Sequence, residues 1–288
     1  MDAIGIQIES TPRVKAPVFI IGFNGWGNAL NVSTDMIDYL VEQLGAERFG
    51  RLDPDWFFIY ENSRPSIDIR DGVLKRFEPP EGVFYAVRTD VGQSDLVLFK
   101  SHEPTLNWYR FSNALFELFL HLKGRLFITL GGMYDNVLHT DRELSGMAAG
   151  EAFRQRLIES KVTLISYQGP GAVHTILQVE GTRLGIECVS LWAHCPYYLQ
   201  GTSHFGLLAE MGDLLSQLAN FRLDPSDLEE RWQPMAAQIQ RLIDEKPELR
   251  DMINKLRKEK TRGSATGSLT GIKKGDKVID ISDFLNPK

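Results

Sequence analysis

The amino-acid sequence predicts an α/β fold in which a central sheet lies between two layers of helices, and three observations support this prediction. Short, apolar runs alternate along the chain with amphipathic helical patterns. The first run, 17–21, ends at a glycine-rich turn and is followed by a helix, which is the opening unit of such a sheet. The central runs are continuously apolar, which is typical of strands covered by helices on both faces of a mostly parallel sheet.

The individual elements follow from local patterns. Over 28–44, apolar residues recur with the 3.6-residue spacing of a helix, and the dipeptide Asp71-Gly72 between two alternating runs predicts a hairpin over 66–77. The strands before residue 90 are expected to pair antiparallel. The remaining predicted strands are 56–60, 84–87, 96–99, 126–130, 162–166 and 186–191, and the remaining predicted helices are 105–123, 145–160, 169–177 and 204–218.

Composition excludes several classes of function. The chain has 288 residues, 43% hydrophobic residues and a formal net charge of −6, so a nucleic-acid partner is not expected. No apolar run is long enough for a membrane span, and the first residues lack the pattern of a signal peptide. With two cysteines and no disulfide framework, we expect a cytoplasmic protein. No dinucleotide or triphosphate motif follows the first strand, and no cofactor is expected.

The C-terminal part differs in character from the rest. From residue 224 onward, apolar residues follow steps of four and three, the pattern of a helical seam. Pro234 is expected to kink or delimit the first helix, and Pro247 to start a second. We therefore expect a domain over 1–223, a helical extension over 224–260 and a flexible linker and tail over 261–288. The extension is a lid on its own domain, a contact between subunits, or a helical hairpin that does both. The seam residues are Leu228, Trp232, Met235, Ile239, Leu242, Leu249, Ile253 and Leu256.

Three glycine-rich turns are the candidate ligand-binding segments. They follow the first strand, follow the strand over 126–130, and precede the helix that starts near 171. Backbone N–H groups at the start of the helix after the first strand offer an anion site, and the glycines after the strand over 126–130 let a ligand approach the backbone. The alternative is that these glycines serve tight turns and close packing. The candidate residues are Asn24, Gly25, Trp26, Gly131, Gly132, Met133, Gly169 and Gly171.

His139 is the candidate acid–base residue, because an imidazole titrates near neutral pH. Asp135, Asp141 and Glu143 are close enough in sequence to orient it, but no nucleophile is recognisably paired with it or with His174. The alternative is a histidine held by structural hydrogen bonds. A zinc site is not expected, because the spacing of its potential ligands fits no familiar pattern. Those potential ligands are Cys188, His194, Cys195 and His204.

Four segments together resemble the PAC2 family, which takes its name from a proteasome assembly chaperone. They are Gly25-Trp26-Gly27-Asn28-Ala29, then Leu130-Gly131-Gly132-Met133 with His139-Thr140, then Gly169-Pro170-Gly171-Ala172, and last Gly185-Ile186 with Ser190-Leu191-Trp192-Ala193-His194-Cys195-Pro196. The resemblance implies a three-layer α/β/α fold like that of nucleoside phosphorylases and peptidyl-tRNA hydrolases. It also implies self-assembly into a trimer or larger ring.

Two functions follow as hypotheses. The first is an assembly chaperone or scaffold that acts through protein–protein contacts, with a protein client and no settled catalytic activity. The second is an enzyme like the nucleoside phosphorylases or hydrolases, which would bind a small polar ligand at the strand ends and use His139. Proteasome-docking members of the family tend to end in a hydrophobic-Tyr-x tail, whereas this chain ends Asn286-Pro287-Lys288, so proteasome docking through the C-terminus is not expected.

Overall fold

The computed structural model describes residues 5–261. Of the linker and tail predicted over 261–288, Thr261 is the last residue of α8, and the rest lies outside the described residues. The strands are β1 (Ile6–Ile8), β2 (Val18–Asn24), β3 (Glu47–Leu52), β4 (Ser66–Arg70), β5 (Val73–Glu78), β6 (Gly82–Val87), β7 (Leu96–His102), β8 (Leu126–Asp135), β9 (Leu144–Ala148), β10 (Thr163–Leu164) and β11 (Cys188–Pro196). The helices are α1 (Val32–Leu44), α2 (Pro54–Phe57), α3 (Trp108–His121), α4 (Glu151–Glu159), α5 (Val173–Arg183), α6 (Phe205–Ala219), α7 (Ser226–Glu245) and α8 (Pro247–Thr261).

Nine strands of the described part form one mixed sheet in the order β1-β3-β6-β7-β2-β8-β11-β9-β10. The central strands β7, β2, β8 and β11 are parallel. On one side of them β6 and β3 pair antiparallel, and on the other side β9 runs antiparallel to β11. The carboxyl ends of the central strands therefore meet at one edge of the sheet, where ligands of α/β proteins usually bind.

Helices cover both faces of the sheet, which confirms the predicted three-layer arrangement. One buried cluster joins the Val18 and Ile20 face of β2 to α1, α4 and α6. A second cluster joins the Phe19, Ile21 and Phe23 face to α3 and α5 and is rich in phenylalanine. Because successive strand residues point to opposite faces, the continuously apolar run of β2 can fill both clusters.

Two predicted elements differ in the structure. The expected strand over 56–60 does not form. Residues 56 and 57 end the short helix α2, which begins here because the Asp53 side chain accepts a hydrogen bond from the N–H of Asp55 (3.2 Å) and Pro54 occupies the first helical position. The expected helix over 145–160 is divided. Its first residues form β9, and the helix α4 begins only after Gly150.

The C-terminal helices pack on the same chain. Leu228, Trp232 and Ile239 of α7 and Leu249 and Ile253 of α8 are buried in the cluster that contains α1 and α6. The other predicted seam residues, Met235, Leu242 and Leu256, are half-buried against the same cluster. Pro234 lies inside α7 and does not end it, whereas Pro247 begins α8. The seam is thus covered within one copy of the chain.

In the part of the chain that the structure describes, no helix combines the length and the apolar character needed to cross a bilayer.

Candidate functional site

A pocket of about 680 Å³ opens where β2 and β7 end. It brings three of the predicted binding residues, Asn24, Gly25 and Trp26, together with a fourth, Gly171. Trp26 stands at this opening with 65% of its surface exposed. The other lining residues come from the segments after α2, after β7 and before α5, and they are Asn62, Ser63, His102, Glu103, Pro104, Thr105, Trp108, Pro170 and Ala172.

Glu103 links the two sides of this pocket. Its carboxylate accepts hydrogen bonds from the N–H of Trp26 (3.3 Å) and from the N–H of Val173 at the first position of α5 (2.9 Å). A negative charge is stabilising at this end of a helix. Two backbone N–H groups beside the pocket are therefore already bound to a carboxylate of the same chain.

At the start of α1, a backbone N–H group is likewise hydrogen-bonded to a side chain of the same chain. Oδ1 of the buried Asn28 accepts from the N–H of Ser33 (2.9 Å), and its side-chain amide donates to Thr34 Oγ1 (3.0 Å). Gly27 is required by close packing, because a Cβ there would lie 2.9 Å from the ring of Trp192. In this Gly-Trp-Gly-Asn motif, Gly25 and Trp26 line the pocket, whereas Gly27 and Asn28 hold the turn before α1 in place.

The glycines after the β8 apolar run do not line this pocket. A Cβ on Gly131 would lie 2.6 Å from the Trp192 indole, and one on Gly132 would lie 2.8 Å from the carbonyl oxygen of Ala29. Met133 is half-buried beside His194 of β11. Gly169 is exposed next to the Tyr167 hydroxyl. At Gly131 and Gly132, the packing alternative therefore has direct structural support.

His139 also lies away from the pocket. Its imidazole is buried, with Nδ1 3.0 Å from the hydroxyl of Tyr198, and its carbonyl oxygen lies 3.1 Å from Nε2 of His204. Burial lowers its pKa from 6.5 to about 4. Of the carboxylates expected to orient it, Asp135 hydrogen-bonds His194 instead, and Asp141 accepts from the N–H of Leu138. An imidazole held neutral in the core is suited to a structural role.

The two cysteines lie in different clusters. Cys188 contacts the α3 and α5 layer, and Cys195 contacts the α1 and α6 layer. Burial raises the pKa of both thiols, to about 12 for Cys188. Over residues 5–261, no group of three or more His, Cys, Asp or Glu side chains is arranged to hold a metal ion.

His102 is a pocket residue that the sequence analysis did not find. It ends β7 and borders the first pocket, a second of about 360 Å³ beside Lys100, and a third of about 770 Å³ beside the β4–β5 hairpin. The sequence could have pointed to His102 because it closely follows the apolar run 96–99. Polar residues at the carboxyl end of a buried strand reach the edge of the sheet where ligands of α/β proteins usually bind. These three cavities make this edge a continuous concave surface.

The fold is that of a three-layer α/β/α protein, with pockets at the carboxyl ends of the parallel strands β2 and β7. The sequence model of the PAC2 family matches residues 19–243, and the chain belongs to this family. No curated protein matches the chain.

Solved structures with the same fold support this assignment. A PAC2 family protein from Streptomyces avermitilis has 25% identity and a TM-score of 0.73, over 82% of this chain and 99% of that one. A proteasome-assembly chaperone homologue from Mycobacterium tuberculosis has 22% identity and a TM-score of 0.75, over 82% and 99%. An archaeal proteasome activator from Pyrococcus furiosus has 16% identity and a TM-score of 0.65, over 82% and 97%.

Proposed function

We propose that this chain is an assembly chaperone or scaffold that acts through protein–protein contacts and assembles with copies of itself. Membership of the PAC2 family supports a chaperone-like role. Two structural neighbours are a proteasome-assembly chaperone homologue and a proteasome activator, so proteasome subunits are the first candidates for the protein client. The observation that carries the self-assembly is the exposed apolar face of the β4–β5 hairpin.

This hairpin forms a two-stranded sheet of its own beside the main sheet. Ile67 pairs with Phe77, and Ile69 pairs with Leu74, with a bulge at Lys75 that keeps all four on one face. These four side chains are 56–58% exposed. The opposite face carries the polar pairs Ser66 with Glu78 and Asp68 with Arg76, and the pair of Arg70 with Val73. The ribbon is therefore largely amphipathic, and more than half of the surface of each of the four apolar side chains is exposed.

A second copy of the chain is the partner that suits this face. A lone two-stranded ribbon is marginally stable in water, and it gains stability when its apolar face is buried. Within 66–78 the acidic residues Asp68, Asp71 and Glu78 balance the basic residues Arg70, Lys75 and Arg76. Two identical hairpins therefore have no net charge that opposes their association. A trimer or a larger ring is the stoichiometry that we propose.

One neighbouring pair of residues provides the test. Ile67→Lys places a charge on the apolar face, whereas Ser66→Lys places the same charge on the adjacent residue of the polar face. Multi-angle light scattering should show an oligomer for the wild type and for Ser66→Lys, and a shift toward monomer for Ile67→Lys. A monomeric wild type, or equal masses for the wild type and Ile67→Lys, would contradict the proposal.

The enzyme hypothesis based on His139 has less support. His139 does not line the pocket at the end of β2, and the N–H groups of Trp26 and Val173 beside that pocket are bound to Glu103. Equal thermal stabilisation of the wild type and a His139→Gln variant by every nucleoside or phosphate tested would argue against a role for this residue in ligand binding.

A further inference from the structure

A serine, a histidine and an aspartate are hydrogen-bonded in series at the same edge of the sheet. Nε2 of His194 lies 2.9 Å from Oγ of Ser145, and Nδ1 of His194 lies 2.7 Å from Oδ2 of Asp135. The other carboxylate oxygen, Oδ1, accepts from the N–H of Asn136 (2.7 Å), which fixes the carboxylate in place. This is the order of contacts in a nucleophile, base and orienting acid.

The strand register explains how the three side chains meet. Ser145 pairs with Trp192 of β11, and His194 is two residues further along on the same face. Met133 pairs with His194, and Asp135 is again two residues further along on that face of β8. Because β9 is antiparallel, Ser145 near its start meets the carboxyl ends of β8 and β11. All three side chains are thus held by strands of the sheet.

The hydrogen bonds also define the protonation state that catalysis needs. With the carboxylate of Asp135 as acceptor, Nδ1 carries the proton and Nε2 presents a lone pair to the Ser145 hydroxyl. A neutral imidazole in this tautomer is the general base of the serine hydrolases. We propose that Ser145 and His194 form an acyl-transfer site, positioned by Asp135, that hydrolyses esters with a short acyl group.

The reaction balances with these groups and water. Ser145 Oγ bonds to the carbonyl carbon of the ester while its proton passes to His194 Nε2. The bond from that carbon to the alcohol oxygen then breaks, and the alcohol leaves with the proton from Nε2. In the second half, Nε2 takes a proton from water, the water oxygen bonds to the acyl carbon, and Ser145 Oγ leaves and regains its proton. The products are a carboxylic acid and an alcohol.

Burial sets the size of the substrate. Ser145 is 3% exposed, whereas the side chains of His194 and Asp135 are 17% and 44% exposed. The exposed end of this series of contacts is therefore the aspartate, and the serine has little accessible surface. An acetyl group needs less accessible surface around the serine than a long or branched acyl chain. This site is independent of the hairpin surface and of the assembly function proposed above.

A small fluorophosphonate tests the nucleophile directly on the full-length protein. We expect mass spectrometry of the wild type to place the phosphonyl adduct on Ser145, and Ser145→Ala and His194→Gln to lose it. Ser101→Ala is the matched control, because Ser101 is also a strand serine with 3% exposure and should leave labelling unchanged. Ser145→Ala and His194→Gln should also lose at least tenfold in hydrolysis of 4-nitrophenyl acetate, and wild-type activity should fall sharply with 4-nitrophenyl decanoate.

Asp135→Asn tests the positioning role. Removal of the carboxylate takes away the acceptor that orients the His194 ring, so the labelling rate should fall while the melting temperature changes little, and Asp135→Glu should recover part of the rate. The absence of an adduct on Ser145 of the wild type would overturn the proposal, and that result does not depend on the folding of any variant. Equal labelling of the wild type and a folded His194→Gln would also overturn it.

Discussion

The indole of Trp192 occupies the space that a side chain at Gly131 would need, since a Cβ built there lies 2.6 Å from its Cε3 atom. Gly131→Ala should therefore lower the free energy of unfolding by about 1–3 kcal/mol, the usual cost of overpacking against a rigid group. Urea denaturation measures this change. Gly212→Ala in α6 is the comparison, because its new Cβ comes no closer than 3.0 Å to any atom, and that atom is a methyl group of Leu223. A Gly131→Ala loss no greater than that of Gly212→Ala would show that Trp192 moves aside readily.

Glu103 should stabilise the pocket by occupying its backbone donors. Glu103→Ala leaves the N–H groups of Trp26 and Val173 without their acceptor, and we expect a loss of about 1–3 kcal/mol in the free energy of unfolding. Glu103→Gln retains an acceptor oxygen and should lose less.

Glu103→Ala should also create an anion site, because it leaves the N–H groups of Trp26 and Val173 without their acceptor. Sulfate should raise the melting temperature of Glu103→Ala more than that of Glu103→Gln or of the wild type, which controls for the general stabilising effect of the salt. Equal shifts for all three proteins would mean that these N–H groups do not bind an anion.

Acid should destabilise the fold through His139 and His204. Burial lowers the pKa of His204 to about 3 and that of His139 to about 4, from 6.5 when unfolded. Between these values and pH 6.5 the unfolded chain binds more protons, so the free energy of unfolding falls as the pH falls through this range. The expected loss between pH 7 and pH 5 is about 2 kcal/mol per histidine.

The contacts of His204 show why it resists protonation. Its Nδ1 accepts from the N–H of Leu207 (3.1 Å) at the start of α6, and its ring stacks on Trp232. In urea denaturation series at pH 7 and pH 5, His204→Gln should be less sensitive to pH than the wild type. An unchanged pH dependence in this variant would contradict the assignment.

Trp232 should anchor the C-terminal helices. It is buried against His204 and next to Gly206, so Trp232→Ala should lower the free energy of unfolding by about 3–5 kcal/mol. Gln238→Ala, at an exposed position of α7, should change it by less than about 0.5 kcal/mol. Thermal denaturation followed by circular dichroism distinguishes the two. A small effect of Trp232→Ala would show that α7 is attached mainly by other contacts.

Most of the architecture was predictable from the sequence because its signals are local. Continuous apolar runs marked the central strands, and Asp71-Gly72 marked the hairpin turn, where both residues adopt positive φ. The order of strands depends on long-range pairing, which the local pattern does not specify. The short helix α2 was missed although Asp53-Pro54 was a recognisable start signal.

The triad was hidden by a wrong secondary-structure prediction. With Ser145 assigned to a helix, nothing placed it beside β11, and Asp135 was assigned to His139 by closeness in sequence. Only the antiparallel register of β9 on β11 brings Ser145 to His194. The pocket residues around Trp26 were easier to find, because they follow a buried strand, and the carboxyl ends of such strands are where ligands of α/β proteins usually bind.

The burial of the two cysteines has a practical consequence. Cys188 and Cys195 lie on opposite faces of the sheet, and burial keeps both as thiols rather than reactive thiolates. Brief alkylation followed by peptide mapping would therefore score opening of each layer separately, even in a crude lysate. Alkylation of Cys188 would report unfolding of the layer that contains α3 and α5, and alkylation of Cys195 would report unfolding of the layer that contains α1 and α6.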